Sequence, residues 1–321
     1  MNKRSGNHNL KSGKKQIFPL PSAGEIIDVV APASACSAKQ LSAGLSLLRG
    51  WGYEPRVAKD LFGRPGIMAN EDNIRLQQLE TAFQARDSRL IWAIRGGYGC
   101  LRILDGLGQL PAPDTQKIVL GYSDITILQH VLMERYAWPM LHSQMFNQLA
   151  GEAADGEHGR ELQQLLAGEI KELCYTQLQP ENSAARVVGL HVIAPLRGGN
   201  LTSLVSLSGT HWAGIAKPHI LVLEEVGERG YEIDRLLTQL RLSGWLQHTQ
   251  AIILGDFCGG EEADGNSTVA GVLQQFAQMI ELPVFSGLAV GHGERFRPLP
   301  LGVQASLDLD QNMGHLSILL A

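Results

Sequence analysis

The chain has 321 residues, 44% of them apolar and 18% charged, enough to bury a large core and to expect an ordinary soluble protein of two domains. Its formal charge is -5, and Lys3, Arg4, Lys11, Lys14 and Lys15 put five uncompensated cations in the first fifteen residues, so the remainder carries -10, a sign that argues against nucleic acid as a partner. The cysteines Cys36, Cys100, Cys174 and Cys258 are widely spaced without a C-x-x-C pair, which argues against a disulfide framework or a zinc site, and no run nears bilayer-spanning length, so no membrane partner and a cytoplasmic address are expected.

Residues 1–15 read as a basic, disordered leader. Residues 26–31 predict a buried strand that turns at Pro32, and Glu25 and Asp28 interrupt any lipoprotein-signal reading of the stretch before Cys36. An amphipathic helix follows over 38–48, ended by Gly50, then a strand at 54–58 and a helix over 70–86 with the stripe Ile74, Leu76, Leu79 and Phe83. Residues 90–94 predict a third strand, leading through a Gly-rich turn into a helix up to Leu107, and 118–121 a fourth. This alternation over residues 16–150 predicts an α/β domain with a doubly wound parallel sheet, whose ligands bind beyond the carboxyl ends of the strands.

Residues 151–185 turn polar and acidic and read as a linker. The second domain, 186–321, is expected to hold strands at 187–195, 219–224 and 251–255, and helices up to Leu207 and over 233–242 and 269–279. Short strands are expected around Val303 and at 316–320, giving a smaller α/β domain with its own mixed sheet.

The most pointed chemistry lies where the fourth strand ends in Gly121-Tyr122-Ser123 and passes directly into a helix. A sharp strand-to-helix turn lifts a serine hydroxyl above the sheet and aims free helical N–H groups at the same place; the plainer reading is that Ser123 N-caps the helix. Arg95-Gly-Gly-Tyr-Gly99 lets backbone approach a ligand, but it lacks the lysine of a P-loop and the spacing of a dinucleotide fingerprint, so no nucleotide cofactor is expected. Leu223-Glu224-Glu225 ends an apolar strand on two carboxylates, either a strand meeting water or the acid that orients a histidine. Gly291-His292-Gly293 gives a histidine a loop with room to aim its ring; His142, after a buried-looking run, is its rival. The order Ser123, Glu224, His292 is that of the α/β-hydrolases, but Ile125 stands where G-x-S-x-G requires glycine.

Arg95-Gly-Gly-Tyr-Gly99, Gly121-Tyr-Ser-Asp-Ile-Thr126, Arg197-Gly-Gly-Asn-Leu201, Leu223-Glu-Glu225 with Tyr231-Glu-Ile-Asp-Arg235, and Gly291-His-Gly293 together resemble the successive motifs of the LD-carboxypeptidases, a family of muramoyl tetrapeptide carboxypeptidases and microcin C self-immunity peptidases. The resemblance runs from about Glu25 to the end of the chain. It implies a flavodoxin-like first domain, an active site between the two domains, and a homodimer. Ser123 would match the nucleophile, His292 the general base and Glu224 the acid, with the backbone N–H groups of Gly97 and Asp124 as oxyanion hole and no metal or organic cofactor.

The expected reaction is hydrolysis of the L,D-peptide bond between meso-diaminopimelate and the terminal D-Ala of murein tetrapeptides. Arg95, Tyr98 and Arg197 are the candidates for holding substrate. Cys100 and Ser143 depart from the family's small hydroxyl residue and glycine, leaving substrate preference open, and Trp212 is either a stacking surface or core. A microcin-type immunity peptidase, a noncatalytic muropeptide-binding protein and an esterase are the alternatives.

Overall fold

A computed structural model describes residues 18–63, 66–149 and 157–320; the basic leader lies outside the described residues. Through the first half run β1 (Ile26–Val30), α1 (Ala38–Gly50), β2 (Glu54–Val57), α2 (Asp72–Gln84), β3 (Ser88–Ala93), α3 (Leu104–Gln109), β4 (Ile118–Gly121), α4 (Ile125–Tyr136), β5 (Met140–His142) and the short α5 (Phe146–Leu149). Every residue of β4, and all of β3 except Arg89, is buried, as expected of strands covered on both faces and largely apolar. The five strands pair in parallel in the order β2-β1-β3-β4-β5, the flavodoxin-like order, which opens a crevice beyond the carboxyl ends of β1 and β3.

Two side-chain devices set the helices that matter most. Ser37 accepts from the Gln40 N–H while the Gln40 side chain accepts from the Ser37 N–H, a reciprocal cap that starts α1. In α4 the buried Gln129 amide donates to the carbonyls of Val119, Gly121 and Leu141 at 3.1, 2.9 and 3.1 Å, fastening that helix to the ends of β4 and β5.

The second half holds α6 (Glu157–Leu166), β6 (Glu172–Pro180), β7 (His191–Asn200), α7 (Leu201–Val205), β8 (His219–Val226), α8 (Gly230–Leu242), β9 (Thr249–Cys258), α9 (Val269–Met279), β10 (Val284–Ser286), β11 (Leu299–Leu301), β12 (Gln304–Asp310) and β13 (Met313–Leu319). The mixed sheet expected here is closed: β10-β6-β13-β12-β7-β8-β9 forms a barrel, parallel from β7 to β10 and antiparallel elsewhere.

The segment read as a linker carries α6 and the nine-residue β6. Only Leu173, Tyr175, Leu178 and Pro180 of its apolar residues face inward, and a register shift near Gln177, whose φ is +64°, breaks the two-residue period that would have disclosed the strand. β11 lies outside the barrel's strand order and pairs antiparallel with β5, Leu299 opposite His142, as a sixth strand of the first sheet. No helix among the described residues is long and apolar enough to cross a membrane.

Candidate active site

Ser123 stands between β4 and α4 with φ +60°, a left-handed conformation that costs a non-glycine residue about 1–3 kcal/mol. Its neighbour Asp124 takes the N-cap position, so Ser123 is not the cap, and the serine hydroxyl is left for other work. The turn is this sharp because the Gly-rich loop packs onto it: a Cβ at Gly96 would lie 2.8 Å from Ser123 Cβ and 3.0 Å from the Tyr122 carbonyl oxygen. Gly97, Tyr98, Ser123, Asp124, Asn200 and Glu228 are among the residues lining one cavity of about 270 Å³. The backbone N–H groups of Gly97 and Asp124 have no acceptor among the described residues, so two donors are available beside the serine.

The loop and the elbow are fastened from behind. Asp124 Oδ2 accepts from the Cys100 N–H at 2.8 Å, and burial raises the proton affinity of that carboxyl. Arg75, fully buried, donates to the carbonyls of Pro32 and of Gly99, thereby joining the loop after β1 to the loop after β3. Ser34 accepts from the Tyr98 N–H at 3.2 Å on the same seam.

From the barrel side, β8 delivers Glu224 and Glu225 with opposite assignments. Glu224, completely buried, accepts from His292 Nδ1 at 2.7 Å. Burial raises its proton affinity, and the bond to His292 lowers it. Glu225 accepts from Asn200 Nδ2, the Thr202 N–H and its neighbour Val226 N–H. The loop carrying His292 is held by Asp256, whose Oδ2 accepts from the Gly293 N–H at 3.2 Å. The His292 ring lies 4.6 Å from that of Tyr122, centroid to centroid, which brings the imidazole beside the elbow. No hydrogen bond joins Ser123 Oγ to His292 among the described residues.

Ser123 shares its cavity with Gly97, Tyr98 and Asp124; the Glu224–His292 pair does not line that cavity and approaches the elbow through the ring of Tyr122, the residue before the serine. Two other candidates from the sequence do not join them. Arg197 is buried against Glu134 Oε1 at 3.5 Å and Arg95 donates to the Ala35 carbonyl at 2.9 Å; neither lines the cavity. No lysine, arginine or histidine lines it, and Glu225 and Glu228 do. Arg75 and Asp256 escaped the sequence reading, and Asn200 was seen only as part of the Arg197–Leu201 motif with no role of its own, since each acts through a partner far along the chain. Among the described residues no cluster of three or more His, Cys, Asp or Glu is placed to hold a metal ion.

The LD-carboxypeptidase N-terminal domain matches residues 27–143 and the LD-carboxypeptidase C-terminal domain residues 194–307. A murein tetrapeptide carboxypeptidase of Pseudomonas aeruginosa is 32% identical over 294 residues, 88% of this chain and 92% of its own. The chain belongs to the LD-carboxypeptidase family. The crystal structure of an LD-carboxypeptidase relative, muramoyltetrapeptide carboxypeptidase from Oxalobacter formigenes, is similar with a TM-score of 0.79 at 25% identity, over 91% of this chain and 98% of that one. The microcin C7 self-immunity protein of Escherichia coli is 31% identical over 114 residues, 35% of this chain and 33% of its own.

Proposed function

We propose that this LD-carboxypeptidase removes the terminal D-Ala from murein tetrapeptides, with Ser123 as nucleophile, His292 as general base and Glu224 as the acid that orients it. The observation that carries the reading is the 2.7 Å bond from His292 Nδ1 to a completely buried Glu224, beside a serine held at φ +60° on a strand-to-helix turn. That bond fixes the proton on Nδ1 and leaves Nε2 bare to accept one. Ser123 Oγ gives its proton to His292 Nε2 as it attacks the carbonyl of the L-configured diaminopimelate centre. The oxyanion that forms is met by the N–H groups of Gly97 and Asp124, which no other acceptor occupies among the described residues. His292 then protonates the departing D-Ala nitrogen, and water repeats the sequence on the acyl-enzyme. The Ser123–His292 hydrogen bond forms on substrate binding, as such bonds commonly tighten only in the complex.

Similarity to the murein tetrapeptide carboxypeptidase over nearly the whole chain supports this substrate. The likeness to the microcin C7 self-immunity protein covers 114 residues, which makes hydrolysis of an aminoacyl nucleotide the second reading. Mass spectrometry of the protein with muramyl tetrapeptide, beside Ser123→Ala and His292→Ala, tests the first. Release of D-Ala by the wild type and its loss in both variants supports the proposal, and no release from folded protein refutes it.

A further inference from the structure

Behind Glu224 lies a polar residue that the proposed chemistry does not use. Glu224 Oε2 is taken by His292, but Oε1, also buried, has no hydrogen-bond partner. An unpaired buried carboxylate oxygen is expensive, about 1–3 kcal/mol or more. The same is true of His142: it is fully buried and neither ring nitrogen has a hydrogen-bond partner. The two orphans face each other, His142 Nε2 standing 3.9 Å from Glu224 Oε1.

His142 comes from β5 of the parallel sheet and Glu224 from β8 of the barrel, so the approach spans the junction between the two. The imidazole is boxed in. Tyr122 and Phe296 lie edge-on to it with centroids 5.8 and 5.7 Å away, and a Cβ on Gly199 would stand 3.3 Å from its Cε1. Tyr122 packs against His142 and His292 alike, so both histidines are referred to one ring. Burial pushes the His142 pKa down to about 3, so the ring is neutral at working pH and carries one N–H. The gap is about 1 Å beyond a hydrogen bond, to be closed by small shifts shared between the confined ring and the Glu224 carboxylate.

We infer that His142 is a positioning residue, a neutral imidazole whose Nε2–H donates to Glu224 Oε1 and holds that carboxylate so that Oε2 faces His292. The inference rests on the triad reading given above. With both oxygens occupied the carboxylate cannot rotate away, and His292 keeps its Nε2 toward Ser123. His142 neither touches substrate nor exchanges a proton.

Nitrogen-15 NMR of the resting protein reads the tautomer without any substrate. His142 with a proton on Nε2 and a bare Nδ1, and an Nε2 shift that moves in Glu224→Gln, are expected; a proton on Nδ1, or a shift indifferent to Glu224→Gln, overturns the inference. In turnover, His142→Phe keeps the ring packing and removes the donor, and should lower kcat about 10- to 100-fold with KM within about twofold, by analogy with the loss of a residue that orients a metal ligand. His142→Gln, which keeps an N–H, should restore most of that loss; wild-type kcat in His142→Phe refutes the role. If Ser123→Ala still turns over, the nucleophile assignment fails on its own, while the tautomer measurement still decides the His142–Glu224 contact.

Discussion

The N–H of Cys100 donates to Asp124 Oδ2 at 2.8 Å, and this one bond ties the Gly-rich loop to the first residue after the serine. Both proposed oxyanion donors depend on it, since Gly97 lies on one side of the bond and the Asp124 N–H on the other. Asp124→Ala leaves the Cys100 N–H buried and unpaired, a cost of about 1–3 kcal/mol, and frees the two backbone segments to separate. The expected result is a fall in kcat of at least about tenfold with little change in KM. Asp124→Asn, whose side-chain oxygen can accept the same bond, should keep most of the activity. Steady-state kinetics of the pair checks this, and equal losses in both would mean that charge at Asp124 matters rather than the tie.

Gly96 is predicted to be intolerant of even one added carbon. A Cβ there meets Ser123 Cβ at 2.8 Å and the Tyr122 carbonyl oxygen at 3.0 Å, so the elbow must shift to admit it. Displacing a nucleophile by a fraction of an ångström can cost on the order of 100-fold in rate. Gly96→Ala should therefore fold, by circular dichroism and thermal melting, yet lose about two orders of magnitude in kcat. A variant with wild-type turnover would show that the serine does not need this placement.

Acid should unfold the protein earlier than its carboxylates alone would dictate. Burial pushes His142 down to about 3 and both His130 and His219 down to about 4, whereas the unfolded chain titrates histidine near 6.5. The unfolded state therefore takes up protons that the folded state refuses. Stability is unaffected above about pH 6.5 and falls as pH drops from there toward about 4, at about 1.4 kcal/mol per pH unit for each histidine. Urea midpoints from pH 8 to 4.5 should be flat at first and then decline. His219→Gln should lessen the decline, and a midpoint that stays level down to pH 4.5 would contradict the three burial shifts.

The parallel sheet was legible because its central strands are rich in buried apolar residues and its helices carry a stripe, as at Ile118–Gly121 and in the helix that buries Leu79 and Phe83. The barrel was less so. Its strand at Glu172–Pro180 alternates only loosely, and the three-residue strand Leu299–Leu301 joins a sheet whose other strands lie more than a hundred residues earlier, a pairing no local pattern encodes. The candidate site divides in the same way. Ser123 and His292 sit in glycine-marked turns and Glu224 in a carboxylate pair at the end of an apolar run, so they could be picked out, whereas Arg75 reads as an ordinary helical arginine until its guanidinium is seen on the Pro32 and Gly99 carbonyls. Arg197 illustrates a related limit: the sequence shows a charge beside two glycines, and only packing reveals that it turns to Glu134.

Arg197 should then prove dispensable for substrate. Its Nε and Nη1 have no hydrogen-bond partner, and burial lowers its pKa, so the charge is poorly compensated where it stands. Replacing such a group by an apolar side chain of similar length is often neutral or stabilising. Arg197→Met should keep KM within about twofold and hold or raise the thermal midpoint. A large rise in KM with unchanged stability would instead restore Arg197 as the carboxylate anchor.

Glu224→Gln is the substitution that separates charge from geometry at the proposed acid. The glutamine can occupy the same space, but its amide can turn an N–H toward His292 Nδ1, making that nitrogen the acceptor and moving the ring proton to Nε2. Nε2 is the atom that must take the proton from Ser123, so the wrong tautomer blocks the first step even though every side chain is in place. The loss expected is about 10³- to 10⁴-fold in kcat, by analogy with the equivalent change in a Ser-His-Asp triad. Glu224→Asp keeps the charge but retracts it by one methylene from a 2.7 Å bond, and should fall between glutamine and wild type. Raising the pH should not rescue Glu224→Gln, because its defect is the position of a proton on a neutral ring rather than an excess of protons. If high pH did restore the rate, Glu224 would be acting mainly by setting the basicity of His292, and the orienting role would have to be given up.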